Sequence, residues 1–204
     1  MGLYKFMQKI WKNPRKDNPY YKEHLIQWRK ENAVVKAEKP TRIDRARSLG
    51  YRAKQGVFVV RQRVTRGGHR KPLPSAGRRS KKWTTRKALS MNYQAICEQR
   101  VATKYHNCEV LNSYEVGKDG THYWYEVILV DVKHPAVLAD PEYSKIANQK
   151  GRAFRGLTIA NRKGRGLLGK GKGYEKMRPS KYANRKRRFY WIFFLLFIFN
   201  FLLI

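Results

Sequence analysis

The stretch Glu109-Val110-Leu111-Asn112-Ser113-Tyr114-Glu115-Val116-Gly117-Lys118-Asp119-Gly120-Thr121-His122-Tyr123-Trp124-Tyr125-Glu126-Val127-Ile128-Leu129-Val130-Asp131-Val132 decides the fold. Two runs rich in β-branched and aromatic residues, Glu109–Val116 and His122–Val132, flank Gly117-Lys118-Asp119-Gly120. That is the pattern of two antiparallel strands and a hairpin turn. The second run is the most apolar of the core. Glu109, Glu115, Glu126 and Asp131 are read as solvated strand positions or as partners for arginines.

Upstream, Ala88, Met91, Ala95, Cys97 and Val101 mark the apolar face of a helix expected over roughly 87–105. Before it, Val57–Val64 reads as a third strand, ended by Arg66-Gly67-Gly68. A strand, a helix and a hairpin make an α+β core: a small, mainly antiparallel sheet with packed helices. Leu3, Phe6, Met7, Ile10 and Trp11 form one stripe of an amphipathic helix, stopped by Asn13-Pro14. A second helix is expected from Asn18-Pro19 to about Glu38, with Tyr21, Leu25 and Trp28 inward. Thr41 is read as the cap of a short helix ending at Gly50. Pro135 and Pro141 frame a connection with one helical turn at Ala136–Ala139. Residues 66–87 and 146–188 are rich in Gly, Lys and Arg, and read as long extended arms. Residues 1–188 are therefore expected to form one domain, with core segments at about 57–64 and 87–145.

Charge is distributed just as unevenly. Residues 1–40 carry a net +6, residues 41–94 +15, residues 95–145 −3 and residues 146–188 +14, which together give the chain its +32. No acid occurs between Asp44 and Glu98. A solvated surface normally mixes signs, and charge of one sign self-repels unless a polyanion neutralises it. The arms lack apolar periodicity and are expected to order only against such a partner.

Enzyme chemistry finds little support. No Ser, His and acid set carries a supporting motif. His24, His69, His106, His122 and His134 have no metal-ligand spacing, and Cys97 and Cys108 lack a Cys-x-x-Cys partner pair. The two cysteines are expected to be small buried residues of a reducing compartment. Gly164-Arg165-Gly166-Leu167-Leu168-Gly169-Lys170 fits part of a phosphate-binding loop, but Gly171 stands where the magnesium-binding Ser or Thr belongs. No catalytic residue, metal, cofactor or small-molecule substrate is assigned.

Nucleic acid fits better. The candidate contacts are Arg42, Arg45, Arg47, Arg52 and Lys54, then Arg61, Arg63, Arg66 and Arg70. In the first arm they are Arg78, Arg79, Lys81, Lys82 and Trp83, whose ring suits stacking on a base or sugar. In the second arm they are Arg155, Arg162, Lys163, Arg165, Lys170 and Lys172. A duplex-DNA reader calls for a helix-turn-helix, zinc finger or basic zipper, and none is present. Long irregular Gly-Arg-Lys arms suit folded RNA, recognised by shape and backbone.

The string Pro40-Thr41-Arg42-Ile43-Asp44-Arg45-Ala46-Arg47-Ser48-Leu49-Gly50-Tyr51-Arg52-Ala53-Lys54-Gln55-Gly56 closely resembles the signature of large-subunit ribosomal protein fifteen of the archaeal/eukaryotic type. Arg63-Val64-Thr65-Arg66-Gly67-Gly68, Val110-Leu111-Asn112-Ser113-Tyr114-Glu115-Val116-Gly117, Arg155-Gly156-Leu157-Thr158 and the opening Leu3-Tyr4-Lys5-Phe6 agree with it, in order, over about residues 1–185. The resemblance implies a structural constituent of the large ribosomal subunit, in the cytoplasm, with large-subunit rRNA and neighbouring ribosomal proteins as partners, no catalysis and no cofactor. It implies rRNA contacts at Arg42, Arg45, Arg47, Arg52, Lys54, Arg66 and Arg155. The alternative is a free-standing RNA-binding protein or RNA chaperone. Residues 189–204 depart from the family, with six of the nine phenylalanines of the chain. As a helix they would fall short of the roughly 30 Å hydrocarbon core. We read them as a sequence artefact or a poorly ordered end rather than a working anchor, with a hydrophobic plug packed against a neighbouring ribosomal protein as a further reading, and do not expect a membrane partner.

Overall fold

A β-strand points successive side chains to opposite faces. A strand with large apolar side chains on both faces must therefore be covered on both. The strand His122–Asp131 meets that condition. Its Trp124, Ile128 and Val130 join one buried cluster with Tyr21, Leu25, Trp28, Leu49 and Tyr143. Its Tyr125, Val127 and Leu129 join another with Val60, Cys97, Val101 and Ala153.

The computed structural model describes residues 2–72, 75–78, 84–169, 171–174, 177, 182 and 185. The chain runs through helices α1 (Leu3–Lys12), α2 (Pro14–Asp17) and α3 (Tyr21–Lys30), strand β1 (Val34–Ala37), helix α4 (Ile43–Ser48) and strand β2 (Val57–Thr65). The short strands β3 (His69–Arg70) and β4 (Arg86–Lys87) follow, then helix α5 (Tyr93–Lys104), strand β5 (Cys108–Lys118) and strand β6 (His122–Asp131). Helices α6 (Pro135–Leu138), α7 (Pro141–Ala147) and α8 (Ile159–Gly164) complete the described elements. The main sheet is antiparallel in the order β1-β2-β6-β5, so the most apolar strand is internal. Residues of α3, α4, α6 and α7 cover one face, and α5 with Ala153 covers the other. This is the α+β arrangement expected from the hairpin, and both cysteines are free and buried.

Several expectations are corrected. The helix from Pro19 to Glu38 ends at Lys30, and Val34–Ala37 is instead the edge strand paired with β2. Asn18 does not cap it; its side chain accepts from the Tyr20 amide one residue before the helix. Thr41 does not cap α4, whose N-terminal flank is Arg42 with no side-chain cap. The helix expected from Lys87 starts only at Tyr93, capped by the Asn92 side chain on the Ala95 amide. Ala88 and Met91 therefore lie outside it. Arg86 and Lys87 are the return strand of a small hairpin with His69 and Arg70, so the first arm folds back on itself. The start of the second arm is not extended: residues 151–156 make a tight turn and Thr158 caps α8.

Gly56 fixes the entry into β2. Its φ is +80°, and an added Cβ would sit 2.8 Å from His134 Cγ and Val137 Cγ2. Gly56→Ala is expected to cost about 1–3 kcal/mol through the left-handed backbone and the displaced side chains. Denaturant unfolding measures this; a loss below a few tenths of a kcal/mol would contradict it.

Candidate nucleic-acid interface

The acids determine which cations remain available, because a buried carboxylate needs partners of its own. Glu126 points from β6 into the face beneath α4 and is fully buried. It accepts from Thr41 N at 3.0 Å, Thr41 Oγ1 at 2.5 Å and Tyr114 Oη at 2.6 Å. Burial raises its pKa against those hydrogen bonds. Of the two readings of Glu126, solvated position or arginine partner, the first is corrected and the second holds at 3.9 Å from Arg61; the residue is also the anchor that ties the start of the Thr41–Gly56 segment to the sheet. On the opposite face, fully buried Glu98 of α5 accepts from Ser113 Oγ, from Thr158 Oγ1 at 2.5 Å and from Asn161 Nδ2 at 3.3 Å. Burial raises this carboxyl as well. Glu98 thereby ties α8 to the core.

Three further acids hold turns or a helix start. Burial would raise Asp119, but the amides of His122 and Thr121 and the guanidinium of Arg29 hold it down to about 2. Asp140 caps α7 through the Glu142 amide and takes Lys54 Nζ at 2.6 Å, which lowers its pKa. Glu109 accepts from the amides of Gly151 and Arg152 at 2.7 and 3.2 Å.

The basic candidates separate accordingly. Arg61 is internal: it pairs with Glu31 at 2.7 Å, lies 3.9 Å from Glu126 and stacks over Trp28. Arg42 is half-buried, donates to the Glu115 carbonyl at 3.2 Å and lies over Trp11. Arg52 and Lys54 are exposed but engaged by Glu142 and Asp140. Arg63 donates to the Arg29 carbonyl at 2.8 Å. Arg66 donates to the Asp119 carbonyl at 2.7 Å and lies over Tyr123. Arg47 donates to Tyr4 Oη, and Arg165 to the Gly156 carbonyl at 2.5 Å. Arg45, Arg70, Arg78, Arg155, Arg162, Lys163 and Lys172 are exposed, with no side-chain hydrogen bond or ion pair among the described residues. Arg79, Lys81, Lys82, Trp83 and Lys170 lie outside the described residues.

The fold brings the two most basic segments together. Gly67 and Gly68 from the first arm and Lys163 and Gly164 from the second line one open groove of about 770 Å³, with Leu89 and Tyr93 on its wall. Tyr93 Oη bonds both the amide and the carbonyl of Gly67, fixing the arm at its root. Arg86, Lys87 and Arg100 are also exposed and were not among the candidates. Their basicity was visible, but assigning Lys87 to a helix hid its pairing with His69. The segment resembling a phosphate-binding loop starts at the last residue of a helix, Gly164, where such a loop needs a preceding strand. No metal-binding cluster of His, Cys, Asp or Glu exists among the described residues. Nor is any helix among them long and apolar enough to cross a membrane; residues 189–204 lie outside that set.

A small core that binds its buried acids internally and turns unpaired cations outward on both sides of its sheet defines a structural protein that lies against a polyanion. The chain belongs to the ribosomal L15e family: the family described as Ribosomal L15 matches residues 2–184. It is 48% identical over 189 residues to the "Large ribosomal subunit protein eL15" of Methanocorpusculum labreanum, an alignment covering 91% of this chain and 97% of that protein. The chain is thus a structural constituent of the large ribosomal subunit, part of a ribonucleoprotein whose rRNA and neighbouring proteins are its partners.

Proposed function

We propose that this protein stabilises the large ribosomal subunit, in the cytoplasm, by neutralising rRNA phosphates with cations carried on both sides of its sheet. Arg45 and Arg47 act from α4; Arg70, Arg78, Arg155, Arg162, Lys163 and Lys172 act from the two arms. Arg52, Lys54, Arg63, Arg66 and Arg165 have internal partners that aim them, and Arg42 and Arg61 serve the core. Arg79, Lys81, Lys82, Trp83 and Lys170 add further rRNA contacts. Residues 1–188 work as one unit, and no catalytic step is involved in this contribution to translation.

The observation that carries this reading is the division of charge. Glu31, Glu98, Glu109, Asp119, Glu126 and Asp140 are bound by groups of the chain itself, while seven exposed candidate cations have no partner among the described residues. Backbone-directed contacts of this kind position a protein on RNA without reading its sequence. Sedimentation tests the reading. Stoichiometric recovery with large subunits after a high-salt wash is expected. Free or sub-stoichiometric protein would point instead to an RNA chaperone outside the ribosome.

A further inference from the structure

Phe154 is a large apolar side chain left 57% exposed on a surface of cations. Its position is not that of a loose loop. The amides of Phe154 and Arg155 both bond the Gly151 carbonyl, at 3.0 and 2.9 Å, and the Leu157 amide bonds the Arg152 carbonyl at 3.0 Å. Glu109 clamps the start of the turn through two amides, Arg152 Nε holds the Val110 carbonyl at 3.0 Å, and Ala153 is buried in the core. The ring is therefore presented outward by a backbone fixed on both sides.

Beside it lies a cavity of about 280 Å³, lined by Phe154, Met91, Arg155 and Arg165 among others, with no acidic residue in its wall. Arg165 is set by the backbone: its guanidinium bonds the Gly156 carbonyl and occupies the space a Cβ on Gly156 would need, 2.9 Å away. Arg162 and Lys163 stand unpaired on the adjoining helix. An apolar peptide would cover the ring and leave these cations unneutralised. An unpaired nucleotide supplies both a π-face for Phe154 and a phosphate for the arginines, which is how single-stranded RNA is gripped.

The geometry points to a stacking site for one extruded rRNA base at Phe154, with Arg155 and Arg165 holding its backbone. This rests on the rRNA-binding reading and adds to it a contact that reads base planes rather than charge. The two are separable because stacking and phosphate neutralisation respond differently to salt.

The test uses the full-length protein and large-subunit rRNA, with affinity measured across a range of salt concentrations. Phe154→Ala and Phe154→Leu are each expected to weaken binding about tenfold at every salt concentration, with an unchanged salt slope. Phe154→Tyr is expected to restore it, and Arg155→Ala to make the slope shallower by about one. Phe154→Leu binding as well as the parent would mean that any apolar contact suffices, and would overturn the site, as would a neutral Phe154→Ala. A photo-cross-linking side chain at position 154 in assembled subunits gives a second readout. Capture of a nucleotide is expected, and capture of a neighbouring protein overturns the proposal. If the parent protein binds rRNA with a steep salt slope while Phe154→Ala is neutral, only the stacking site falls. A salt-independent parent would remove the broader reading.

Discussion

Glu98→Ala is expected to cost about 3–5 kcal/mol of folding stability and to release α8 from the core. The fully buried carboxylate is the shared acceptor for Ser113, Thr158 and Asn161. Each donor left without a partner costs about 1–3 kcal/mol, and truncation adds a cavity. Asn161 keeps bonds to the Ala153 carbonyl and to Thr158, so the sum falls short of three full penalties. The expected loss is a large share of the roughly 5–15 kcal/mol that holds a domain together. Denaturant unfolding measures it, and amide exchange over residues 158–164 locates it. A loss under about 1 kcal/mol with unchanged exchange would show that Glu98 is not the anchor.

The same residue gives stability a pH signature. Burial lifts the folded pKa of Glu98 above its ordinary 4.5, so the folded chain holds this proton more tightly than the unfolded chain. Its contribution to stability is therefore greatest below about pH 4.5 and declines as pH rises through the folded value. Glu126 has the same sign. Asp119 has the opposite one: held down to about 2, it stabilises above its ordinary 3.8 and loses that effect as pH falls towards 2. Glu98→Gln, neutral at every pH, should flatten the decline above pH 4.5. An unchanged pH profile would contradict the assignment.

The second large effect concerns binding. With Arg45, Arg70, Arg78, Arg155, Arg162, Lys163 and Lys172 exposed and unpaired among the described residues, about seven phosphate contacts are available. Seven contacts imply that affinity for large-subunit rRNA falls on the order of 10³-fold between 50 and 200 mM salt as counterions are no longer released with profit to binding. Arg45→Ala with Arg162→Ala should make the slope shallower by about two, since the pair removes one contact from each side of the sheet. Arg61→Ala should leave the slope unchanged and lower stability, because Glu31 and Glu126 hold that guanidinium inside. An Arg61 variant with an altered slope and parental stability would reverse these roles.

This contrast marks the limit of what composition conveys. Arg61 and Arg45 look alike in a basic run, and only the three-dimensional placement of Glu31 and Glu126 separates them. The hairpin and β2 were legible because their period and turn chemistry are local. Edge strand β1 was not: Val34 and Val35 follow a helical stripe without a Pro or Gly between them, and their strand exists through pairing with β2. Helix α8 was hidden for a related reason. Six residues containing Asn and Gly have little propensity of their own, and the helix is held by Glu98, sixty residues earlier for Thr158. The basic surface was legible as charge; its division into aimed, internal and unpaired cations was not.

The strand order also bears on synthesis. β6 is the last strand of the main sheet to be made, yet it lies between β2 and β5. Glu126, which secures Thr41, is translated 85 residues after it. Until residues 122–131 emerge, β1 and β2 can pair only with each other, and a two-stranded ribbon is marginal in water. The first 94 residues, with a net charge of +21, must therefore wait in the company of the cell's polyanions before they have a completed sheet to return to. A newborn chain of this protein is a polycation first and a folded domain only afterwards.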